Sequence, residues 1–380
     1  MPYWRLSGFY FFYFASLGAL VPYWGIYLKS LGFTANDIGI FMAIVIGTKI
    51  VSPNIWGWIS DHIGKRMLIV RIGCLLAVIT FAGVFISSNY WWMLFVMMCF
   101  SFFWNAALPQ FEATTFNHLG DKTHHYSNIR LWGSIGFIVT VVSLGSLLEM
   151  KGASVLPFAL IILFAGIWLM SIIVPEQAAQ HLQLDQVSIL DVLKRPDVVA
   201  LLLACFLMQM SHGPYYTFYS IYLEEYQYSR SLIGQLWSLG VVAEVVIFLL
   251  MYRMVPKFGL RFLLLLSLFL ASVRWLLIGY FVENLPVLFV AQTLHAASFG
   301  IYHASAIELI HRYFPGVHQG KGQALYSSLS FGAGGAVGSL YSGMLWESEG
   351  ANVVYTIAAV ISVLAFVISW IWIRPDAKHS

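Results

Sequence analysis

The chain has 380 residues, of which 60% are hydrophobic, 17% aromatic and only 10% charged, with a formal charge of +3 and a mean hydropathy of +0.79. A soluble domain carries roughly a quarter charged residues, so a soluble enzyme is excluded, and a balance of +3 gives no reason to expect nucleic acid as a partner. Apolar runs of about 20 residues, the length that crosses some 30 Å of hydrocarbon as helix, recur along the whole sequence, which predicts an all-α, polytopic membrane protein.

Twelve such runs are predicted, at roughly 5–28, 36–60, 67–87, 90–117, 127–148, 154–174, 197–223, 231–252, 261–281, 285–311, 322–346 and 352–373. The first begins almost at Met1 and ends at Tyr27, Leu28 and Lys29 without a small-residue cleavage site, so it is expected to be a retained span. In the second, "AIVIGTKIVSP" places Lys49 at midspan. A lysine at the bilayer centre costs about 2.5 to 3.5 kcal/mol even on lenient scales, and from midspan its stem does not easily reach either interface. Lys49 is therefore expected to face protein or water and to have a task.

Spans 2 and 3 are joined by "GWISDHIGKR", with Gly57, Asp61, Gly64, Lys65 and Arg66. Gly57 lets neighbouring helices approach, Gly64 permits a tight turn, and Asp61 can pair with basic groups at a helix end. Span 4 carries Asn105 and Glu112, and Arg130 opens span 5 eighteen residues after Glu112. The longest polar stretch, "PEQAAQHLQLDQVSILDVLKRP" at 175–196, predicts a linker between a bundle at 1–174 and a second at 197–380.

The second half carries His212 in span 7, Glu244 at midspan of span 8, Arg274 in span 9, and His295, His303 and Glu308 in span 10. Histidines on apolar helices are commonly hydrogen-bonded core residues, which is the expectation for His303. Glu308 and His311 have the spacing of a di-metal ligand pair in a single copy, too little to expect a metal. Span 11, "SFGAGGAVGSLYSG", holds Gly334 and Gly338 in the small-xxx-small spacing of close helix packing. Cys74, Cys99 and Cys205 each fall inside an apolar run, so neither a disulfide framework nor a metal site is expected.

Positively charged loops stay cytoplasmic. With the amino terminus inside, the inner segments hold 15 of the 20 lysines and arginines, and the outer loops hold Lys29, Lys151 and Arg230. Only Lys49 and Arg274 lie inside spans. Sliding the chain on itself by 195 places Gly18 on Gly213, Tyr27 on Tyr222, Gly39 on Gly234, Gly64 on Gly259 and Arg66 on Arg261. The halves are repeats, and the same offset puts Lys49 on Glu244, both about 13 residues into their spans and so near the midplane. Parallel repeats of this kind predict two six-helix bundles with both residues on a central cavity.

The loop "GWISDHIGKR" resembles the signature loop of the major facilitator superfamily, with His62 where a basic residue is usual and a degenerate second copy, "YRMVPKFGLR", at 252–261. Within that superfamily the chain resembles the phenylpropionate permease group and, more distantly, lactose permease. The most specific stretch is "LHAASFGIYHASAIELIHRYFPGVHQGKGQALYSSLSFGAGGAVGS" at 294–339. The resemblance implies two pseudo-symmetric bundles, no cofactor beyond the proton gradient, and a proton-coupled symporter in a bacterial inner membrane with both termini cytoplasmic. It implies Glu112 and Arg130 on the substrate side, with Lys49, Asn105 and His212 as further substrate contacts. On the proton-coupling side it implies Glu244, Arg274 and His295. Lactose permease has a carboxylate one turn after the span-10 histidine. Here that position is Ser298, so the proton carrier is expected at Glu244, with His295 and Glu308 next in line. The loop residues Gly57, Asp61, Gly64, Lys65 and Arg66 are expected to govern conformational change.

Charge indicates the substrate. If Arg274 neutralises Glu244, Lys49 is left to meet an anion, so a small organic acid is expected, and the aromatic side chains of spans 1 and 7 suit a ring. The expected partners are that substrate, protons and the lipid bilayer, with the protein a monomer. A proton-antiport exporter of drugs or metabolites shares the fold, but exporters of the superfamily usually carry a Gly-Pro pair in span 5, and "RLWGSIGFIVTVVSLGSLLE" has none. Import of a sugar, nucleoside or siderophore is a further alternative. No nucleophile–base arrangement or phosphate loop points to an enzyme.

Overall fold

The computed structural model of the protein describes residues 1–120, 122–176 and 190–374. These form helices and short connections, with no strand among the described residues. In chain order the spans are α1 (Tyr3–Ser30), α2 (Ala35–Ile63), α3 (Arg66–Phe81, prolonged by a 3-10 turn at Ala82–Phe85), α4 (Tyr90–Leu119), α5 (Tyr126–Lys151) and α6 (Leu156–Ile173). There follow α7 (Pro196–Glu225, broken at His212), α8 (Arg230–Phe258), α9 (Leu260–Tyr280), α10 (Leu285–Tyr313), α11 (three successive segments, Gln319–Ser327, Ser328–Gly334 and Gly335–Glu349) and α12 (Ala351–Trp372). Most of the expected linker, 177–189, lies outside the described residues. Of the remainder, Leu190–Leu193 forms a single helical turn.

Eleven of these helices are long and apolar enough to cross a membrane. The span predicted at 322–346 is helical, yet glycine and serine make α11 too polar to join that set by composition. Large apolar side chains such as Ile162, Leu249 and Val360 stay more than half exposed, as lipid contact requires.

Local chemistry sets the helix ends. Thr34 accepts a hydrogen bond from the Asp37 amide while the Asp37 carboxylate accepts from the Thr34 amide, a reciprocal cap on α2. Asn89 accepts from the amides of Trp91 and Trp92 at the start of α4. In both copies of the loop motif the glycine turns the chain with positive φ, +70° at Gly64 and +77° at Gly259, where a side chain would be strained.

Two helices leave α-helical winding. α10 contains a π-helical stretch at Ala296–Ile301 and α11 one at Ser328–Gly334. Such stretches concentrate at functional positions because they reset the direction of side chains without ending the helix.

The chain divides into two compact units, residues 1–182 with 228–238, and residues 183–227 with 239–380. In the first, α1 packs on α5 and α6, and α4 packs on α2 and α3. In the second, α12 packs on α7 and α9, while α7 also meets α11. Lipid supplies no hydrophobic drive between helices, so close backbone approach holds them together. A Cβ on Gly18 would lie 2.7 Å from the carbonyl oxygen of Phe137 on α5, and a Cβ on Gly213 would fall on the backbone of Gly338 on α11. The two glycines aligned by the repeat thus perform the same packing, each inside its own unit.

Candidate functional site

The second unit holds a buried polar network built from four helices. Arg274 on α9 is fully buried. Its Nε donates to the carbonyl of Ala291 at 2.9 Å, Nη1 donates to His295 Nδ1 and to Ser298 Oγ at 3.1 Å each, and Nη2 lies 3.5 Å from Gln292 Oε1. The guanidinium also lies over the ring of Tyr215, 4.1 Å from its centroid, and the Tyr215 hydroxyl donates to Gln292 Oε1 at 2.9 Å. On the far side of the imidazole, His295 Nε2 is 3.5 Å from the Glu244 carboxylate of α8.

An arginine has only donors to offer. His295 Nδ1 must therefore accept, and its ring proton sits on Nε2, directed at Glu244. The sequence reading sets Arg274 itself against Glu244; in the structure the imidazole links them. Glycines open the space for this packing, since Cβ positions at Gly240 and Gly300 lie 3.3 Å from Gln292 Oε1 and 3.5 Å from Glu244 Cγ.

His212, at the break in α7, is held by its own helix: Nδ1 lies 2.8 Å from the Met208 carbonyl, and the ring meets Trp275 edge-on at 4.8 Å. Glu308 is apart from the network, exposed and paired with Arg312 at 3.2 Å. Tyr215, Gln292 and Ser298 are contributors that the sequence reading does not select. Gln292 had a visible signal, an amide three residues before His295 in an apolar run, but Tyr215 is one of several tyrosines in an aromatic stretch.

The first unit holds two smaller groups. Asn105 on α4 donates to the Val45 carbonyl at 2.9 Å and to Thr48 Oγ1 at 2.8 Å, tying α4 to α2 beside Lys49. Lys49 is partly buried and has neither a hydrogen bond nor an ion pair among the described residues. Glu112 accepts from the Tyr126 hydroxyl at 3.3 Å, and Tyr10, whose hydroxyl donates to Thr115 at 3.2 Å, meets the Tyr126 ring edge-on at 6.4 Å. Arg130 lies over the Phe14 ring, 3.7 Å from its centroid. Glu112 and Arg130 thus share one cluster, joined through aromatic side chains.

In the signature loop, Asp61 and Arg66 pair at 3.4 Å, Gly64 ends α2, and Lys65 is exposed. A Cβ on Gly57 would lie 3.4 Å from Gln110 Nε2 on α4, in ordinary contact. Glu176, placed by the sequence in the linker, accepts from the amide of Met67 at 3.1 Å and so caps α3.

These features can be set beside known proteins. Residues 3–357 match the MFS_1 like family. A probable 3-phenylpropionic acid transporter of Escherichia coli (strain K12) is 30% identical over 92% of this chain and 93% of its own length, and a maltose permease of Geobacillus stearothermophilus is 24% identical over 95% and 92%. The crystal structure of the nucleoside transporter NupG superposes with a TM-score of 0.85 at 16% identity, covering 99% of this chain and all of that one. The helical architecture, the signature loop with its second copy, and a match spanning almost the whole length lead to one conclusion: the chain is a membrane transporter belonging to the MFS_1-like family of the major facilitator superfamily.

Proposed function

We propose that the protein is a proton-coupled symporter that imports a small organic anion, an aromatic acid being the favoured class. The observation that carries the reading is the chain Arg274–His295–Glu244. At His295, Glu244 meets a neutral N–H donor, so it can alternate between carboxylate and carboxylic acid without stranding the buried charge of Arg274. Arg274 keeps its own partners in either state.

The anion preference rests on the contrast between the two midspan cations. The donors of Arg274 are engaged by protein groups, whereas Lys49 has none among the described residues, and a substrate carboxylate would supply its counter-charge. The printed name of the E. coli relative supports an aromatic acid, and Asn105, Glu112, Arg130 and His212 remain the further substrate contacts proposed. In this reading both termini lie in the cytoplasm of a bacterial cell and the working unit is the monomer.

Transport is tested with purified protein in proteoliposomes under an imposed pH gradient, following labelled 3-phenylpropionate and internal pH together. Uphill uptake accompanied by proton entry supports the proposal; uptake indifferent to the gradient overturns the coupling. Thermal-shift screening of organic acids against sugars and nucleosides tests the substrate class, and stabilisation by a neutral sugar or nucleoside alone refutes the anion.

A further inference from the structure

The sequence places His303 among core histidines, but its surroundings are those of a titrating group. It lies eight residues beyond His295 on α10, about 12 Å along the helix at 1.5 Å per residue. The Phe299 ring stands between the two, stacked on His295 at 5.3 Å and 15° and on His303 at 5.6 Å and 11°. α8 keeps the same face: Phe248, one turn after Glu244, has its ring centroid 6.5 Å from that of His303. His303 Nδ1 lies 2.9 Å from the hydroxyl of Tyr326 on α11, a residue only 2% exposed, while His303 itself is half-buried. α8 and α10 therefore carry two polar levels, Glu244 with His295 and then His303 with Tyr326, separated by one aromatic layer.

We infer that His303, oriented by Tyr326, is the second proton station of the transporter, taking the proton that Glu244 releases. The inference rests on the proton-coupled reading above. With Nδ1–H donating to the Tyr326 oxygen, Nε2 carries the lone pair. A proton leaves the Glu244 carboxyl, crosses the Phe299 layer through bridging water, and binds Nε2; the resulting imidazolium returns it to water, and no other bond changes. Tyr326 holds the ring in the receiving tautomer and accepts from Nδ1 in both protonation states. The titratable groups around this path are Glu244 on α8, Tyr326 on α11, His212 on α7 and, on α10 itself, His295 and Tyr302.

The test compares His303→Gln, Tyr326→Phe and Glu244→Gln in proteoliposomes, using labelled 3-phenylpropionate. Substrate exchange, which needs no net proton movement, is expected to proceed at the unmodified rate in His303→Gln, while net uptake slows by about tenfold and its pH profile moves. Tyr326→Phe keeps the ring and removes the hydroxyl, and is expected to move the same pH profile with exchange intact. If exchange and net uptake fall equally in both variants with the profile unmoved, or if neither changes, His303 is a packing residue and the inference fails. If Glu244→Gln still accumulates substrate, the reading beneath it fails as well. Loss of accumulation in Glu244→Gln beside unaltered His303→Gln and Tyr326→Phe overturns the second station alone.

Discussion

Arg274 donates from Nη1 to Nδ1 of His295 across 3.1 Å, and the direction of that bond is forced because the guanidinium cannot accept. The imidazole is thereby committed to presenting Nε2–H to Glu244. This makes Glu244 the group whose protonation decides whether the network can be crossed without a net charge. Glu244→Gln, which imitates the acid, is expected to bind and exchange substrate but to lose uphill uptake. Parallel records of labelled substrate and internal pH check this, and accumulation by the variant would move the carrier to His295 or Glu308.

Arg274→Lys preserves charge and little else. A lysine cannot reach Ala291, Ser298, Gln292 and His295 from one planar fork. At least one buried acceptor is left unmatched, with an expected loss of roughly 1–3 kcal/mol, read as a lower melting temperature in detergent together with loss of coupling. A variant with unchanged melting and coupling would show that the network is dispensable.

Lys49→Ala removes the midspan cation without disturbing any hydrogen bond of the protein, since Asn105 secures α4 to α2 through Val45 and Thr48. Affinity for an anionic substrate is expected to drop by at least about tenfold, which is ~1.4 kcal/mol. Titration calorimetry measures it, with a melting curve as control; undiminished affinity would release Lys49 from the substrate site.

Asp61→Asn takes the charge from the pair with Arg66 in the loop after α2. The pair is largely exposed, so little stability is at stake. The expected effect is on rate: turnover falls several-fold more than binding affinity, as for residues that govern conformational steps. Equal losses in both would contradict that role.

Gly213→Ala places a methyl group on the backbone of Gly338. Because backbone must move and no rotamer can relieve the contact, destabilisation of about 1–3 kcal/mol is expected, seen as a lowered melting temperature. Gly32→Ala, at the turn after α1, meets no atom within 4 Å but has a φ of +87°, so it separates conformational strain from steric overlap.

Much of this was legible in the residues. Hydropathy located the spans, the 195-residue offset matched Gly18 with Gly213, and small-residue spacing in α11 anticipated its contact with α7 at Gly338. The polar network was legible only in part. Glu244, Arg274 and His295 stand out as charges or histidines in hydrocarbon, but Tyr215 and Ser298 are ordinary side chains given a role by what faces them. Glu112 and Arg130 illustrate the converse: opposite charges eighteen residues apart suggest an ion pair, yet Tyr126 and Phe14 occupy the nearest positions. Sequence reports which groups are costly to bury. It does not report which helix turns toward which, and in α10 and α11 the π-helical stretches shift that direction partway along.

Those stretches also bear on how length changes are tolerated. A π turn accommodates one residue more than α-helical register would hold. Deleting a single residue between His295 and Tyr302 would let α10 rewind as regular α-helix, and everything after the cut would rotate by about 100° relative to what precedes it. His303 would leave the face it shares with Tyr326 while His295 stayed in place. The spacing of eight between the two histidines is thus tied to the surplus residue, and a chain of this architecture with both histidines but one fewer residue between them would present the second to a different neighbour.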